Sequence, residues 1–395
     1  MRNLAQPDSH ADVSRFAAEL AGKTDQGWRK IWQIAAGFGL LRRMMPSEHG
    51  GQGETAQEFS AAMVALGQGY ADNGMTMGLN SHVWTVQQPL LRFGTASQIS
   101  QYLPDFMNGD SIGAFAMTEA ASGSDALALT TRAEKRDGGY VLNGTKAFIG
   151  MGPVCDVAIV FASTKPEHGS WGITAFLVEA GDAGFIRAPA QSKMGLTTLP
   201  MGPMQFEDCY IPEDRRLGPE GAGARIFQAT LDWERSFILA SHLGAMIRQF
   251  DACSTYAKSR EVFDQPIGEF QSVSNRLADM RLRIETSRLM LEKAAMLYDT
   301  DAPLTLHAAM TNLHMSEAFL ASSMDAMRNF AGVGYLDGAT VGNDLKDALG
   351  GVIYSGTSDV QRQIIARMAE HDLPKIHDIR NISAHSDLGT KGRHA

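Results

Sequence analysis

Gly113-Ala114-Phe115-Ala116-Met117-Thr118-Glu119-Ala120-Ala121-Ser122-Gly123-Ser124-Asp125 is the stretch whose reading decides the fold. Its first half has the pattern of a short strand. Its second half is a turn of small residues, which lets backbone N–H groups and the Thr118 and Ser124 hydroxyls approach a flat polar ligand closely. Taken alone, an ordinary strand and turn accounts for it.

The pattern changes on both sides of this segment. Upstream, Ser14 to Asn108 has helical periodicity with breaks at Met45-Pro46, at His49-Gly50-Gly51-Gln52-Gly53 and near Phe93-Gly94. Downstream to Pro212, short β-branched and aromatic runs such as Cys155–Ala162 and Ile173–Val178 alternate with Gly, Pro, Asn and Asp. Asn143-Gly144, between Tyr140-Val141-Leu142 and Lys146-Ala147-Phe148-Ile149, predicts a type I′ hairpin turn. Beyond Gly223, apolar stripes return at helical spacing: Leu239, Leu243, Met246, Ile247 and Phe250, then Leu277, Met280, Ile284 and Leu291. A further helix is expected to start at Asp301-Ala302-Pro303 and end near Ala331-Gly332. The last helix is expected to open on a Ser358/Gln361 capping box. The order is helices, then strands, then helices. It predicts an α+β chain with a helical domain over 1–111, a β domain over 112–216, a helical bundle over 217–370 and a polar tail over 371–395. GxGxxG after a first strand is missing, which removes a Rossmann reading.

Composition agrees with a large core and no membrane span: 44% of the 395 residues are hydrophobic and 20% charged, with no apolar run of the roughly 20 residues a span needs. A formal charge of −9 without a basic domain removes the footprint of a nucleic-acid binder. Cys155, Cys209 and Cys253 are odd in number, without CxxC spacing or a nearby His, so neither a disulfide framework nor a metal site is expected. Met1 to Asp8 lacks the apolar stretch of a secretory signal, which predicts a cytoplasmic protein.

The Gly113–Asp125 cluster resembles the FAD-contacting signature of the acyl-CoA dehydrogenases, Thr-Glu followed by Gly-Ser-Asp. Other segments resemble that family in the same order: His49–Gly53, Gly144-Thr145-Lys146-Ala147-Phe148-Ile149, Phe206–Pro212, Arg260-Glu261-Val262-Phe263 with Gln271, Phe330–Tyr335, and Tyr354-Ser355-Gly356-Thr357-Ser358. The resemblance spans Trp32 to Met368. It implies the family's fold, with a middle β-barrel domain between helical domains. It implies FAD contacts from Phe115, Met117, Thr118, Ser124, Phe148, Gly150, Thr357 and Asp359. Arg260, Phe263, Gln271, Arg328 and Gly332 would bind the FAD of a neighbouring subunit in a homodimer or homotetramer. Arg260 suits a pyrophosphate because a guanidinium offers planar, bidentate contacts.

The family's reaction needs a carboxylate to remove an α-proton while flavin N5 accepts a β-hydride. Many members carry that Glu where this chain has Ser355. Leu231-Asp232-Trp233-Glu234-Arg235 resembles isovaleryl-CoA and long-chain acyl-CoA dehydrogenases, whose base lies on that helix, so Glu234 is the expected base. Thr230, Leu231, Phe237 and Ile238 offer it no cation one turn away. Ser124, Asp232, Arg235, Ser355 and Gly356 are the expected substrate contacts, with the Ser355 backbone N–H on the thioester oxygen.

Several positions depart from the family pattern: Phe148 for Trp, Gly150 for a Thr, Asp264 for Gly and Arg328 for Gln. Met194–Met201 lacks the Arg and Asp-Thr found near the thioester's carrier. The carrier is therefore coenzyme A or an acyl carrier protein, and the electron acceptor an electron-transfer flavoprotein or oxygen. The alternative activity on this fold is a flavin-dependent monooxygenase, against which Glu234 stands.

Overall fold

The computed structural model describes residues 7–23 and 26–372. Six helices come first: α1 Pro7–Ala21, α2 Trp28–Gly37, α3 Ala56–Gly69, α4 Asn73–Ser81, α5 Gln88–Phe93 and α6 Ala96–Asn108. Thr55 with Glu58 opens α3, and Thr95 with Gln98 opens α6, each through a complete capping box. A π-helical turn, His82–Gln87, lies between α4 and α5. Inside it His82 is fully buried and its Nε2 accepts the N–H of Gly113 at 2.9 Å, tying this turn to the start of the sheet.

Eight strands follow: β1 Gly113–Ala116, β2 Arg132–Arg136, β3 Gly139–Gly150, β4 Val157–Ser163, β5 Ile173–Glu179, β6 Phe185–Arg187, β7 Met201–Pro212 and β8 Arg216–Leu217. They form one sheet in the order β6-β7-β3-β2-β4-β5-β8, with β1 parallel to β4. Alternate residues of β4 and β5 divide between two cores. Ala158, Val160, Phe176 and Val178 join Tyr140, Leu142, Met204 and Phe206 inside the sheet, while Ile159, Phe161, Ala175 and Leu177 pack against the helices.

The hairpin expected at Asn143-Gly144 is not there. Strand β3 runs straight through both residues, and the hairpin turns instead at Asp137-Gly138, between Arg136 and Gly139. Asn143 serves as a bulge. Its amide exchanges hydrogen bonds with Asp208, 3.0 Å to the carboxylate and 2.9 Å from the backbone N–H. Gly144 takes φ 145° where a Cβ would meet Thr131 at 2.7 Å. Asn-Gly supplied the positive φ that the sequence suggested, but for a register shift rather than a chain reversal.

The bundle comprises α7 Gly223–Phe237, α8 Ala240–Ser259, α9 Gln271–Asp299, α10 Thr305–Phe330, α11 Thr340–Gly351 and α12 Ser358–Asp372. Helix α10 starts at Thr305, later than expected. The expected Ser358/Gln361 capping box is absent: Thr357 Oγ1 accepts from Val360 N at 3.3 Å, and Gln361 turns back to the carbonyls of Ser355 and Gly356. The polar tail expected over 371–395 lies outside the described residues beyond Asp372.

Among the described residues no helix is long and apolar enough to cross a membrane. The three cysteines are free and buried.

Candidate functional site

Helix α7 buries Ile226, Phe227, Thr230 and Phe237 and carries Glu234 in its last turn. The end of a helix leaves carbonyls without intrahelical donors. Here the buried amide of Asn80, from α4, donates to the carbonyls of Phe237 at 2.7 Å and Ile238 at 3.1 Å. Asn80 thus holds the break between α7 and α8 that gives Glu234 its position. Sequence reading missed it, because its role rests on a contact with the end of α7, 157 residues away.

Ser355 and Gly356, on the loop before α12, occupy left-handed backbone with φ 58° and 92°. That geometry turns the Ser355 hydroxyl towards α7, where Oγ donates to Glu234 Oε1 at 2.8 Å. The Ser355 carbonyl is held from behind by Arg235 Nε at 3.1 Å and Gln361 Nε2 at 3.0 Å. No hydrogen-bond partner of the Ser355 N–H is found among the described residues. Glu234 is half-buried. Burial raises its carboxyl above the ordinary value, and the Ser355 hydrogen bond and the Arg235 charge offset only part of that rise.

Asp232 and Arg235, expected at the substrate, are engaged within the protein. Asp232 accepts from Thr305 Oγ1 at 2.7 Å and Gln228 Nε2 at 3.0 Å, and burial raises its pKa against those bonds. Arg235 is 6% exposed and lies under the 355 carbonyl. The Thr357 and Asp359 side chains make local contacts: Thr357 caps α12, and exposed Asp359 pairs with Arg362.

A second group gathers where β1 and β3 meet. Lys146 is fully buried, with Nζ 3.0 Å from the Met117 carbonyl and 2.9 Å from Glu119 Oε1. The next residue, Ala147, donates its N–H to the Thr118 carbonyl at 2.9 Å. Glu119 also accepts from the N–H and hydroxyl of both Thr130 and Thr131. Burial opposes its ionisation, but Lys146 and the threonine donors prevail and hold it down at about 2. At Lys146 burial is the larger effect and lowers the ammonium to about 8, against the pull of Glu119. The pair's role was not foreseen from the sequence.

This clamp sits directly before a break in pairing with β7, between Lys146 and Ile149. Phe148 within the break takes φ 58° and is 59% exposed. At Gly150 an added Cβ would meet nothing within 4 Å. Ser124 is exposed, and Phe115 packs on Phe227 of α7, ring centroids 6.2 Å apart. The β1 strand and the helix of Glu234 are thereby in contact.

The remaining expected residues lie apart, at one end of the bundle. Arg260 follows α8 and leads into a two-residue turn at Phe263-Asp264, closed by pairing of Val262 with Gln265. Both turn residues have positive φ, 50° and 61°, as a type I′ turn requires. Asp264 accepts the conformation that a Gly would supply. Phe263 is left 89% exposed. Gln271 and Gly332 are exposed, and Arg328 pairs with Asp325 at 3.1 Å. Among the described residues no hydrogen bond or ring contact joins this group to the first two.

Three family models match successive parts of the chain: the acyl-CoA dehydrogenase N-terminal domain at residues 9–110, the middle domain at 114–209 and the C-terminal domain at 221–369. The chain is 40% identical over 337 residues to an L-prolyl-[peptidyl-carrier protein] dehydrogenase of Pseudomonas fluorescens, covering 85% of this chain and 89% of that one. Among solved structures, the prolyl acyl carrier protein oxidase AnaB superposes with TM-score 0.90 at 36% identity, covering 93% of this chain and all of that one. PigA with FAD and proline superposes with TM-score 0.91 at 34% identity, covering 94% of this chain and all of that one.

Proposed function

The chain belongs to the acyl-CoA dehydrogenase family, and from that premise we propose that it is an FAD-dependent dehydrogenase of a carrier-bound acyl thioester with Glu234 as the α-proton base. The observation that carries the reading is the Ser355–Glu234 hydrogen bond at 2.8 Å. It joins the usual location of the family's base to the carboxylate that replaces it.

The chain's residues suit a flavin. Phe148 offers an exposed aromatic wall, position 150 is open, and Gly123, Ser124 and Asp125 of the small-residue turn are solvent-facing. Phe115, Met117, Thr118, Ser124 and Phe148 would hold it, with Thr357 and Asp359 at the opening of α12. FAD bound there supplies the hydride acceptor, N5. Exposed Phe263, Arg260, Gln271 and Gly332 support a homo-oligomer in which this end of the bundle, with Arg328, completes a neighbour's cofactor site.

Glu234 takes the α-proton. Burial raises its carboxyl above the ordinary value, which brings it closer to the pKa of the carbon acid. The free Ser355 N–H donates to the thioester oxygen, where charge develops. Arg235 and Gln361 fix that N–H by gripping the adjoining carbonyl.

The relatives named for prolyl carrier proteins favour a prolyl thioester on a carrier protein over an acyl-CoA. Electrons then pass to oxygen or to an electron-transfer flavoprotein, which hydrogen peroxide formation distinguishes. A cytoplasmic location goes with this reading.

The test is anaerobic bleaching of the visible flavin band by prolyl-carrier-protein and acyl-CoA thioesters, with wild type and Glu234→Gln. Wild type should bleach with the prolyl thioester. Glu234→Gln should bleach about 10²- to 10⁴-fold more slowly with FAD still bound. Equal rates would remove Glu234 as the base.

A further inference from the structure

The π-helical turn His82–Gln87 is buried at every residue and packs on both β1 and α7. Single π turns inside helices occur mostly at functional sites. His82 and Val86 share the face turned to β1. His82 Nε2 accepts the Gly113 N–H at 2.9 Å, and a Cβ at Gly113 would collide with Val86 Cγ1, so the first residue of the strand rests directly on the turn. Trp84, between them in sequence, meets the other element. Its ring stacks on Phe237 of α7 with centroids 4.2 Å apart and stands edge-on to Tyr298 at 5.2 Å. Phe237 lies one turn beyond Glu234, and Asn80, just before the π turn, holds the Phe237 and Ile238 carbonyls.

The contact with β1 has a fixed chemistry. A backbone N–H can only donate, so His82 Nε2 is a bare acceptor and the imidazole is neutral with its proton on Nδ1. That proton goes to the Gln87 side-chain amide 3.2 Å away, which must present its oxygen. Trp32 and Phe106 flank the ring edge-on, each with centroids 5.1 Å away. Burial lowers the imidazole pKa to about 3, so the acceptor for Gly113 persists at neutral pH.

Taking hydrogens from adjacent carbons requires the base and the hydride acceptor at a set separation, and a misplacement of about 1 Å costs about 10²-fold in rate. We propose that the π turn is the spacer that sets this separation, with His82 the positioning residue for the flavin strand and Trp84 the positioning residue for the base helix. This rests on the reading that FAD lies along β1 and that Glu234 is the base. His82 acts through Gly113, which leads into Phe115, Met117 and Thr118. Trp84 acts through Phe237, on the last turn of the helix that carries Glu234.

Two rates separate the halves. Bleaching of the oxidised flavin, by a thioester that wild type oxidises, needs base and flavin together. Exchange of the thioester α-proton with deuterated solvent, on enzyme reduced beforehand with dithionite, needs the base alone. In His82→Leu, which removes the acceptor for Gly113, bleaching should slow by about tenfold or more while exchange stays within about threefold of wild type. The dissociation constant for FAD, read from flavin fluorescence, should rise in the same variant. His82→Gln returns a side-chain acceptor and should recover most of both losses. Gly113→Ala pushes β1 off Val86 with His82 intact; it should reproduce the split, and it carries the test where His82→Leu does not fold. Trp84→Phe, acting on the base helix, should slow exchange and bleaching by the same factor. A role confined to packing would lower the two rates together in the His82 and Gly113 variants and would not be rescued by His82→Gln. That outcome overturns the inference, as does wild-type bleaching or unchanged FAD affinity in His82→Leu and Gly113→Ala, or untouched exchange in Trp84→Phe. Failure of every thioester to bleach wild type overturns the underlying reading instead.

Discussion

Ser355 Oγ donates to Glu234 Oε1 at 2.8 Å, across 121 residues of sequence. The hydroxyl stabilises the ionised carboxylate, and burial acts against it. Ser355→Ala therefore moves the Glu234 pKa further up. The base must be ionised to work, so activity rises with pH through that pKa. The acidic limb of the kcat profile should shift to higher pH in Ser355→Ala, with the plateau above it changed much less. A limb that stays in place would show that the serine does not touch the working base.

Gly356 is a position where the backbone demands glycine. Its φ of 92° disfavours any side chain, and a Cβ would lie 2.9 Å from Gln361 Nε2, the group that holds the Ser355 carbonyl. Gly356→Ala should cost about 1–2 kcal/mol in denaturant unfolding. Turnover should fall at the same time, because displacing Gln361 releases the loop carrying the Ser355 N–H. Loss of stability with full turnover would separate the loop from catalysis.

The α+β order was legible because it rests on local patterns: apolar residues at helical spacing over Leu239–Phe250, and a run of strand formers between Gly113 and Pro212. What escaped reading depends on contacts distant in sequence. Asn143-Gly144 has the composition of a turn, and only its pairing with Asp208 makes it a bulge. Glu119 and Lys146 stood within recognised motifs, but their joint burial requires β1 and β3 to be placed side by side. Asn80 acts on the end of α7 from 157 residues away. Arg235, expected at the substrate, lies beneath the Ser355 carbonyl, a contact across 120 residues of sequence.

Gly150 lies in open space, with nothing within 4 Å of an added Cβ, and its φ is not among the positive values. Gly150→Thr, which restores the residue usual in the family, should fold with a stability change within about 0.5 kcal/mol. A hydroxyl there would face the flavin, so the flavin absorption spectrum and reduction potential should shift. An unaltered spectrum and potential would place the cofactor away from this strand.

The Glu119–Lys146 pair offers the sharpest stability test. Lys146→Met leaves Glu119 buried with threonine donors but no cation, and breaking one side of a buried pair costs about 3–5 kcal/mol. It also frees the Met117 carbonyl, so FAD should dissociate more readily. Adding Glu119→Gln removes the stranded charge and should recover part of the stability without restoring the grip on Met117. The pH dependence has a definite sign. The folded-state carboxyl is held at about 2, below its ordinary 4.5, so its contribution is complete above 4.5 and is lost as pH falls from there towards 2. Wild type should lose stability across that window more steeply than the Glu119→Gln/Lys146→Met double variant, as followed by urea midpoints at successive pH values. Parallel curves would mean that the buried pair does not contribute to acid sensitivity, and equal FAD retention in all three proteins would detach the clamp from the cofactor site.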